Sequence, residues 1–448
     1  MKNLKRIILF IGAAFIIMSC DLNSNQNESG STSIGCTESQ YQKNIENSLI
    51  SAGSKAYLDG VTTALISKLK NGETVYVAAL GGSVTEGAGA ENDKDYTKGY
   101  AYQFADMLKA QYTNADIKFV GAGLSGTPSL LGVIRYQKDV VERLGHAPDL
   151  LILEFSVNDS GNQTFARSYE GIIRTALSEN PETTIISLYA DAKSYKNCQE
   201  TLDPVAEYYG LPRLSIQNAV ENKNSGIDEE KFFFDYVHPS TAGHTFMAKC
   251  LMNVISILDE NAAEIATEDA NDTLGETDSD TPSTYVLPAS PKNANCFYAL
   301  HPLYSNTAAD DENVKITEGS FSDKDAASQS LKIGGNEFPN NWHHTSGTEA
   351  FTMTLNCKSL IFVYKHQGTW LTGKEPFGSA EVYVDGKKVN SSQDGTASFD
   401  GAKDGGWNDC VQEVIIDENA SAEHTVEVRM AAGSENKGFT ILAFGYTK

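Results

Sequence analysis

The sequence predicts an α/β domain built on a parallel sheet, followed by an all-β sandwich. Between residues 41 and 260, apolar runs of strand length alternate with amphipathic stretches of helix length, as expected of repeated β-α units. One run, Leu150–Phe155, is almost wholly apolar, which suits a strand buried on both faces. After an acidic stretch at 261–284, residues 285–448 carry short β-type runs broken by turn residues.

The elements follow in order. Ile45–Leu69 reads as helix, Thr74–Leu80 as strand and Gly99–Gln111 as helix, with Tyr102, Ala105, Met107 and Leu108 on its inner face. Ile117–Val120 reads as strand, Gly132–Leu144 as helix, Phe165–Glu179 as helix and Thr184–Tyr189 as strand. Val205–Tyr209 is a helical turn, Leu214–Ile216 a short strand and Thr241–Leu258 the closing helix. Right-handed crossovers would bring every strand's C-terminal loop to one rim. In the C-terminal part, the clearest strands are Leu360–Tyr364, Ala380–Val384, Val411–Ile416, Thr425–Met430 and Phe439–Tyr446. Asp385-Gly386 after alternating residues signals a hairpin.

Four of the rim loops carry complementary chemistry. Ser83 lies in Gly81-Gly82-Ser83-Val84-Thr85-Glu86-Gly87, directly after a strand. Phe234-Asp235-Tyr236-Val237-His238-Pro239 offers a base and an acid to orient it. A serine is a weak nucleophile until a base takes its proton. Asp235, three residues before His238, can accept the other ring N–H, fixing the tautomer and stabilising the imidazolium. Attack on an acyl carbonyl creates an oxyanion that needs aimed donors. Backbone N–H groups of Ser83 and Gly123, and the amide of Asn158, sit in strand-end loops that can supply them. Around this set, His146 and His244 read as structural, Asp159 as a brace for the Asn158 loop, Glu86 as a helix cap and Asp149 as a turn residue.

These blocks resemble the SGNH hydrolases, the GDSL-like esterase and lipase superfamily, over about residues 73–258. Ser83 falls on the family's nucleophile, Gly123 on its second-block glycine, Asn158 on its third-block asparagine, and Asp235 and His238 on its closing Asp-x-x-His. The resemblance implies a catalytic triad of Ser83, Asp235 and His238, with an oxyanion hole from Ser83, Gly123 and Asn158. It also implies a flavodoxin-like three-layer α/β/α sandwich. Gly82, Gly121 and Ser156 depart from the usual pattern without removing a catalytic group. Bacterial carbohydrate acetyl esterases of this type carry a jelly-roll partner domain, so the implied activity is O-acetyl removal from an acetylated polysaccharide or oligosaccharide of xylan or mannan type. No cofactor and no metal is expected. The alternatives are a lipase or thioesterase, and a non-catalytic surface glycan-binding lipoprotein.

Composition narrows the partners. The 448 residues carry 59 acidic and 35 basic side chains, a net charge of −24. A nucleic-acid partner needs a basic face, and no basic run exists, so a neutral substrate is expected. All three tryptophans, Trp342, Trp370 and Trp407, fall in the β part within polar neighbourhoods, which suggests sugar stacking there and a carbohydrate-binding-module-like role.

The N-terminus reads as targeting. Lys2, Lys5 and Arg6 precede a short apolar run ending Ile17-Met18-Ser19-Cys20, similar to a bacterial lipobox. The expected organisation is a lipoprotein signal at 1–20 with Cys20 lipidated, a flexible tether at 21–40, the hydrolase domain at 41–260, an acidic linker at 261–284 and the β domain at 285–448. Export to the cell envelope follows, with a membrane tether rather than a span. Cys36, Cys198, Cys250, Cys296, Cys357 and Cys410 show no metal-ligand spacing, and disulfides and buried thiols are equally open for them.

Overall fold

A computed structural model describes residues 32–91, 95–272, 285–304, 314–326, 330–331, 335–336, 338–369, 375–392, 395–403 and 410–448. Cys20 and the signal segment, Trp370 and Trp407 lie outside the described residues.

The first sheet contains β1 (Leu49–Ser51), β2 (Thr74–Gly81), β3 (Asp116–Gly123), β4 (Leu150–Glu154), β5 (Thr184–Tyr189) and β6 (Arg213–Ser215). Its order is β1-β6-β5-β4-β2-β3. The five strands from β2 onward are parallel, and their order is that of a flavodoxin-like sheet. β4 and β5 are buried at every position, the signature of central strands covered on both faces. One core lies on each side. Val75, Val77, Ile152, Ile186 and Leu188 face one layer, with Phe104, Phe246 and Leu251. Ala78, Leu80, Leu151, Leu153 and Ile185 face the other, with Leu131, Ile134, Tyr169 and Ile173. Alternate residues of each strand thus feed opposite cores.

Several expectations change here. The stretch read as one helix, Ile45–Leu69, is broken. A helix Glu38–Ser48 ends, β1 pairs antiparallel with β6, and helix resumes at Lys55 after the Ser54 cap. Gly53 at φ +120° makes the break, and a side chain there would also press on the Gly210 carbonyl. The tether expected to reach residue 40 stops earlier: Ile34 and Cys36 are buried, and Thr37 and Gln40 form a capping box on the first helix. The closing helix runs Thr241–Asp272, well into the stretch expected to be linker. Asp149 is more than a turn residue. It is buried, paired with Lys68 at 2.8 Å, and accepts the N–H of Tyr76 at 2.8 Å. The six described cysteines are all buried free thiols.

The second domain contains β7 (His301–Leu303), β8 (Lys315–Thr317), β9 (Ser330–Leu331), β10 (Gly335–Asn336), β11 (Trp342–His344), β12 (Phe351–Lys365), β13 (Ser379–Val384), β14 (Lys387–Val389), β15 (Phe399–Asp400), β16 (Cys410–Met430) and β17 (Phe439–Thr447). β9 and β10 pair with each other, and the rest form one nine-stranded sheet in which every pairing is antiparallel. Val411–Ile416 and Thr425–Met430, expected as separate strands, are the two ends of β16. Its polar middle, Asp417–Glu423, stays extended and exposed while the register against β12 shifts.

That shift decides how the domains meet. Phe351, Met353, Leu355 and Cys357 of β12 point into the β-domain core, but beyond the irregularities at 357–361 it is Leu360, Phe362 and Tyr364 that do so. A bulge changes which parity of a strand faces inward. Ile361 and Val363 then face the other way and join the core of the α/β domain beside Ile134, with Leu442 and Ala443 of β17. At Gly445 a Cβ would lie 2.7 Å from Ile134, so only glycine allows this approach. Polar ties reinforce it: Arg167 donates twice to Asp417 at 2.7 Å, and Tyr304 donates to the Ile134 carbonyl at 2.8 Å.

Candidate active site

Ser83 opens a one-turn helix, Ser83–Glu86, directly beyond β2. Gly87 at φ +104° closes that turn, its N–H reaching the Ser83 and Val84 carbonyls. The glycines before Ser83 are required by contact. A Cβ on Gly81 would lie 2.1 Å from the Thr85 hydroxyl, and one on Gly82 would lie 1.8 Å from Asn158 Oδ1. The Asn158 amide therefore rests against the residue preceding Ser83, and among the described residues its Oδ1 has no hydrogen-bond partner. Gly123 ends β3 in register with Gly81, and a Cβ there would lie 2.1 Å from the Glu86 nitrogen. The loops holding Ser83, Gly123 and Asn158 thus converge at one point on the rim.

The fourth loop completes the set. His238 Nε2 lies 2.8 Å from Ser83 Oγ, and His238 Nδ1 lies 2.7 Å from Asp235 Oδ2. Asp235 Oδ1 accepts the backbone N–H groups of Val237 and His238, each at 2.8 Å. The loop is pinched at its base, where Phe234 N–H donates to the His238 carbonyl and Ser240 N–H to the Phe232 carbonyl, both at 2.8 Å. Burial works against the Asp235 charge, but the hydrogen bonds from the His238 ring and from the backbone of His238 and Val237 outweigh it and hold the carboxyl below its ordinary range. Asp235 is thereby kept as an anion facing the ring, which leaves the proton on Nδ1 and a lone pair on Nε2 for the serine hydroxyl.

Sequence reasoning did not single out several supporting residues. Gly89, at φ +88°, lets its loop lie against His238, since a Cβ there would meet the Pro239 carbonyl at 2.3 Å and His238 Cβ at 2.9 Å. Beneath Ser83, Thr85 Oγ1 lies 2.9 Å from the Tyr100 hydroxyl and donates to Glu154 at 3.2 Å. Burial pushes the Glu154 carboxyl up to about 7 despite those hydrogen bonds. Asp159 does brace its loop: it accepts the Ser129 N–H at 2.7 Å at the start of the helix Ser129–Arg135, and burial pushes it up to about 8. Glu86, expected as a helix cap, is instead buried and hydrogen-bonded to Ser125 in the Gly123 loop. His244 is held between the Tyr100 N–H and the Ala88 carbonyl, and His146 stacks on Tyr76 at 4.3 Å. Both have structural partners.

Residues 79–246 match the GDSL-like Lipase/Acylhydrolase family. That match lies within the α/β half of the chain, from β2 into the closing helix, and contains Ser83, Gly123, Asn158, Asp235 and His238. An acetylxylan esterase of Geobacillus stearothermophilus is 25% identical over 181 residues, 35% of this chain and 80% of that one. The crystal structure of a two-domain esterase active on acetylated mannans superposes with a TM-score of 0.69 at 24% identity, over 90% of this chain and 99% of that one. A second structure of such an esterase, co-crystallized with mannopentaose, gives 0.68 at 22% identity, over 90% and 98%. The two-domain fold is therefore shared, the β domain as well as the α/β domain.

One sequence expectation fails in the β domain. Trp342, offered as a sugar-stacking residue, is wholly buried, edge-on to Phe351 at 5.4 Å and 5.9 Å from Phe444. β11 pairs with β17, so its alternation carries the indole into the domain core, where a large apolar ring is most stable. Exposed aromatics lie elsewhere. Phe234 and Tyr236 flank Asp235, and Tyr195 donates to the Val157 carbonyl at 2.8 Å, next to Asn158. Among the described residues, no group of three or more His, Cys, Asp or Glu is arranged to hold a metal ion.

Proposed function

We propose that this protein is a serine esterase that removes O-acetyl groups from an acetylated polysaccharide or oligosaccharide of xylan or mannan type. The observation that carries the reading is the 2.8 Å contact of Ser83 Oγ with His238 Nε2, backed by Asp235 at 2.7 Å. Ser83 Oγ attacks the acetyl carbonyl carbon while His238 Nε2 takes the hydroxyl proton. The carbonyl oxygen becomes an oxyanion, received by the N–H groups of Ser83 and Gly123 and the Asn158 amide. As the tetrahedral adduct collapses, the bond to the sugar oxygen breaks and His238 gives that oxygen its proton. Water, deprotonated by His238, then attacks the acetyl-enzyme, releasing acetate and restoring the serine.

Three features support a glycan as the acyl carrier. The relatives include an acetylxylan esterase and esterases active on acetylated mannans. The exposed rings of Phe234, Tyr236 and Tyr195 stand beside the triad, where the apolar faces of sugar rings can stack. A net charge of −24 suits a neutral polymer better than an anionic one. We also propose export with lipidation at Cys20, testable by whether Cys20→Ser moves the protein from the membrane to the soluble fraction.

Acetate release from acetylated mannan and xylan tests the activity. Wild-type protein is expected to release acetate, and Ser83→Ala to lose nearly all turnover. Wild-type rates in Ser83→Ala would overturn the site. Glycan binding without any release would turn the reading to a non-catalytic binding protein.

A further inference from the structure

We propose that Arg135 is a positioning residue for the oxyanion hole. The inference rests on the reading that the Gly123 N–H is an oxyanion donor. A peptide unit is planar and trans, so its C=O and N–H point in opposite directions and move together. The N–H of Gly123 belongs to the peptide whose carbonyl is that of Ala122. Arg135 Nη2 donates to that carbonyl at 3.1 Å, and to the Gly81 carbonyl at the same distance. One guanidinium nitrogen thus ties together the C-terminal ends of β2 and β3, at the last residue of β2 and the last but one of β3. The trans geometry then directs the Gly123 N–H away from Arg135.

The Ser83 N–H is treated in a parallel way. It belongs to the peptide whose carbonyl is that of Gly82, and this carbonyl accepts the Glu86 N–H at 3.0 Å. Ser83 thus has its amide plane set by its own helical turn. Gly123 is the last residue of its strand and has no such turn; beyond the β2–β3 ladder, the carbonyl of its amide is held by a side chain from the next helix.

The guanidinium is itself held. Arg135 is fully buried, and its Nη1 meets Asp139 one helical turn on, at 2.5 Å. A buried cation beside a carbonyl draws electron density toward the oxygen and leaves the N–H of the same amide a stronger donor. That donor gains its value when charge develops on the substrate oxygen, so the effect belongs to the transition state.

The test compares Arg135→Lys, which keeps a cation but loses the planar fork, with the double variant Arg135→Met, Asp139→Leu, which removes both charges and leaves neither partner unpaired. A fluorophosphonate that labels reactive serines counts competent sites, and turnover of a small acetate ester is expressed per labelled serine. The expected result is a fall in kcat of about tenfold to hundredfold with KM changed less than about twofold, and boronate inhibition weakened by a similar factor. A purely structural role would lower the number of labelled sites and leave kcat per site alone. An unchanged kcat per site in either variant overturns the proposal. Ser83→Ala in the same assay keeps the two readings apart: if it is inert while the Arg135 variants match wild type, only the Arg135 role falls.

Discussion

Asp235 holds His238 at two points: Oδ2 meets the ring Nδ1 at 2.7 Å, and Oδ1 accepts the backbone N–H of the same residue at 2.8 Å. An amide in its place can still serve the backbone through its oxygen. It must then offer its NH2 to the ring, which forces the proton onto Nε2 and removes the base from Ser83. Asp235→Asn is therefore expected to fold normally and lose roughly 10⁴-fold in kcat. A loss of less than tenfold in a folded variant would mean that the carboxylate does not select the tautomer.

Single methyl groups should be enough to dismantle the rim. Gly82→Ala would drive a carbon into the Asn158 amide, and Gly123→Ala would drive one into the Glu86 backbone. Both are expected to cut kcat by at least about a hundredfold, the scale of losing one oxyanion donor. Gly145→Ala, where nothing lies within 4 Å, is the control, with strain at φ +71° but full activity per folded molecule. Equal activity in all three variants would refute the packing argument.

Aromatic residues should separate into two classes. Trp342→Ala removes a wholly buried ring, with an expected cost of about 3–5 kcal/mol in stability and no selective change in KM for a glycan. Tyr236→Ala removes an exposed ring beside the triad. It is expected to raise KM for acetylated oligosaccharides several-fold while leaving a small chromogenic acetate unaffected. Thermal melts and paired kinetics check both, and an equal effect on both substrates would remove Tyr236 from glycan contact.

Glu154 gives a pH signature. Its carboxyl is raised from 4.5 to about 7 by burial, so between those values the unfolded chain releases a proton that the folded chain retains. The folded state is then disfavoured progressively as pH rises through that window. His244, lowered to about 4 by burial, acts oppositely up to 6.5, so the comparison must be with Glu154→Gln rather than with wild type alone. The Gln variant is expected to gain stability relative to wild type between about pH 4.5 and 7, with little change above, read from denaturation midpoints. A constant difference across that range would show that Glu154 does not titrate there.

The β domain is expected to be inseparable from its partner. Ile361, Val363, Leu442 and Ala443 share a core with Ile134 and Tyr136, so a chain ending at 272 would expose that apolar surface. It should aggregate or bind a hydrophobic dye, whereas the full chain should not. A soluble monomeric fragment of full activity would show that the two domains are independent.

Much of the α/β half was legible because its signals are local. Strands such as Leu150–Glu154 are apolar up to their last residue, and the motifs around Ser83 and Asn158 follow such strands, whereas the His238 loop follows a short helix, Glu229–Phe232. The break at Gly53 was hidden because the flanking residues still suit a helix, and the edge strand β1 exists only through pairing with β6. In β16, the polar run Asp417–Glu423 looked like a turn, yet its ends are held extended by β12. Trp342 misled for a related reason: polar neighbours in sequence say little about the face on which a short strand places its ring.

The sequence by itself determined that a serine follows a strand and that an aspartate and a histidine share one short loop, because each motif is a contiguous run whose meaning survives without its surroundings; that the Asp235–His238 loop leaves a helix, Glu229–Phe232, and not a strand was seen only in the fold. Only the tertiary structure decided that Arg135 reaches the carbonyls of Gly81 and Ala122, that Gly89 makes room for His238, and that β12 turns Ile361 toward Ile134. Those relations join residues that have no common local signal. They arise from packing, where a few ångströms between distant segments settle which groups meet.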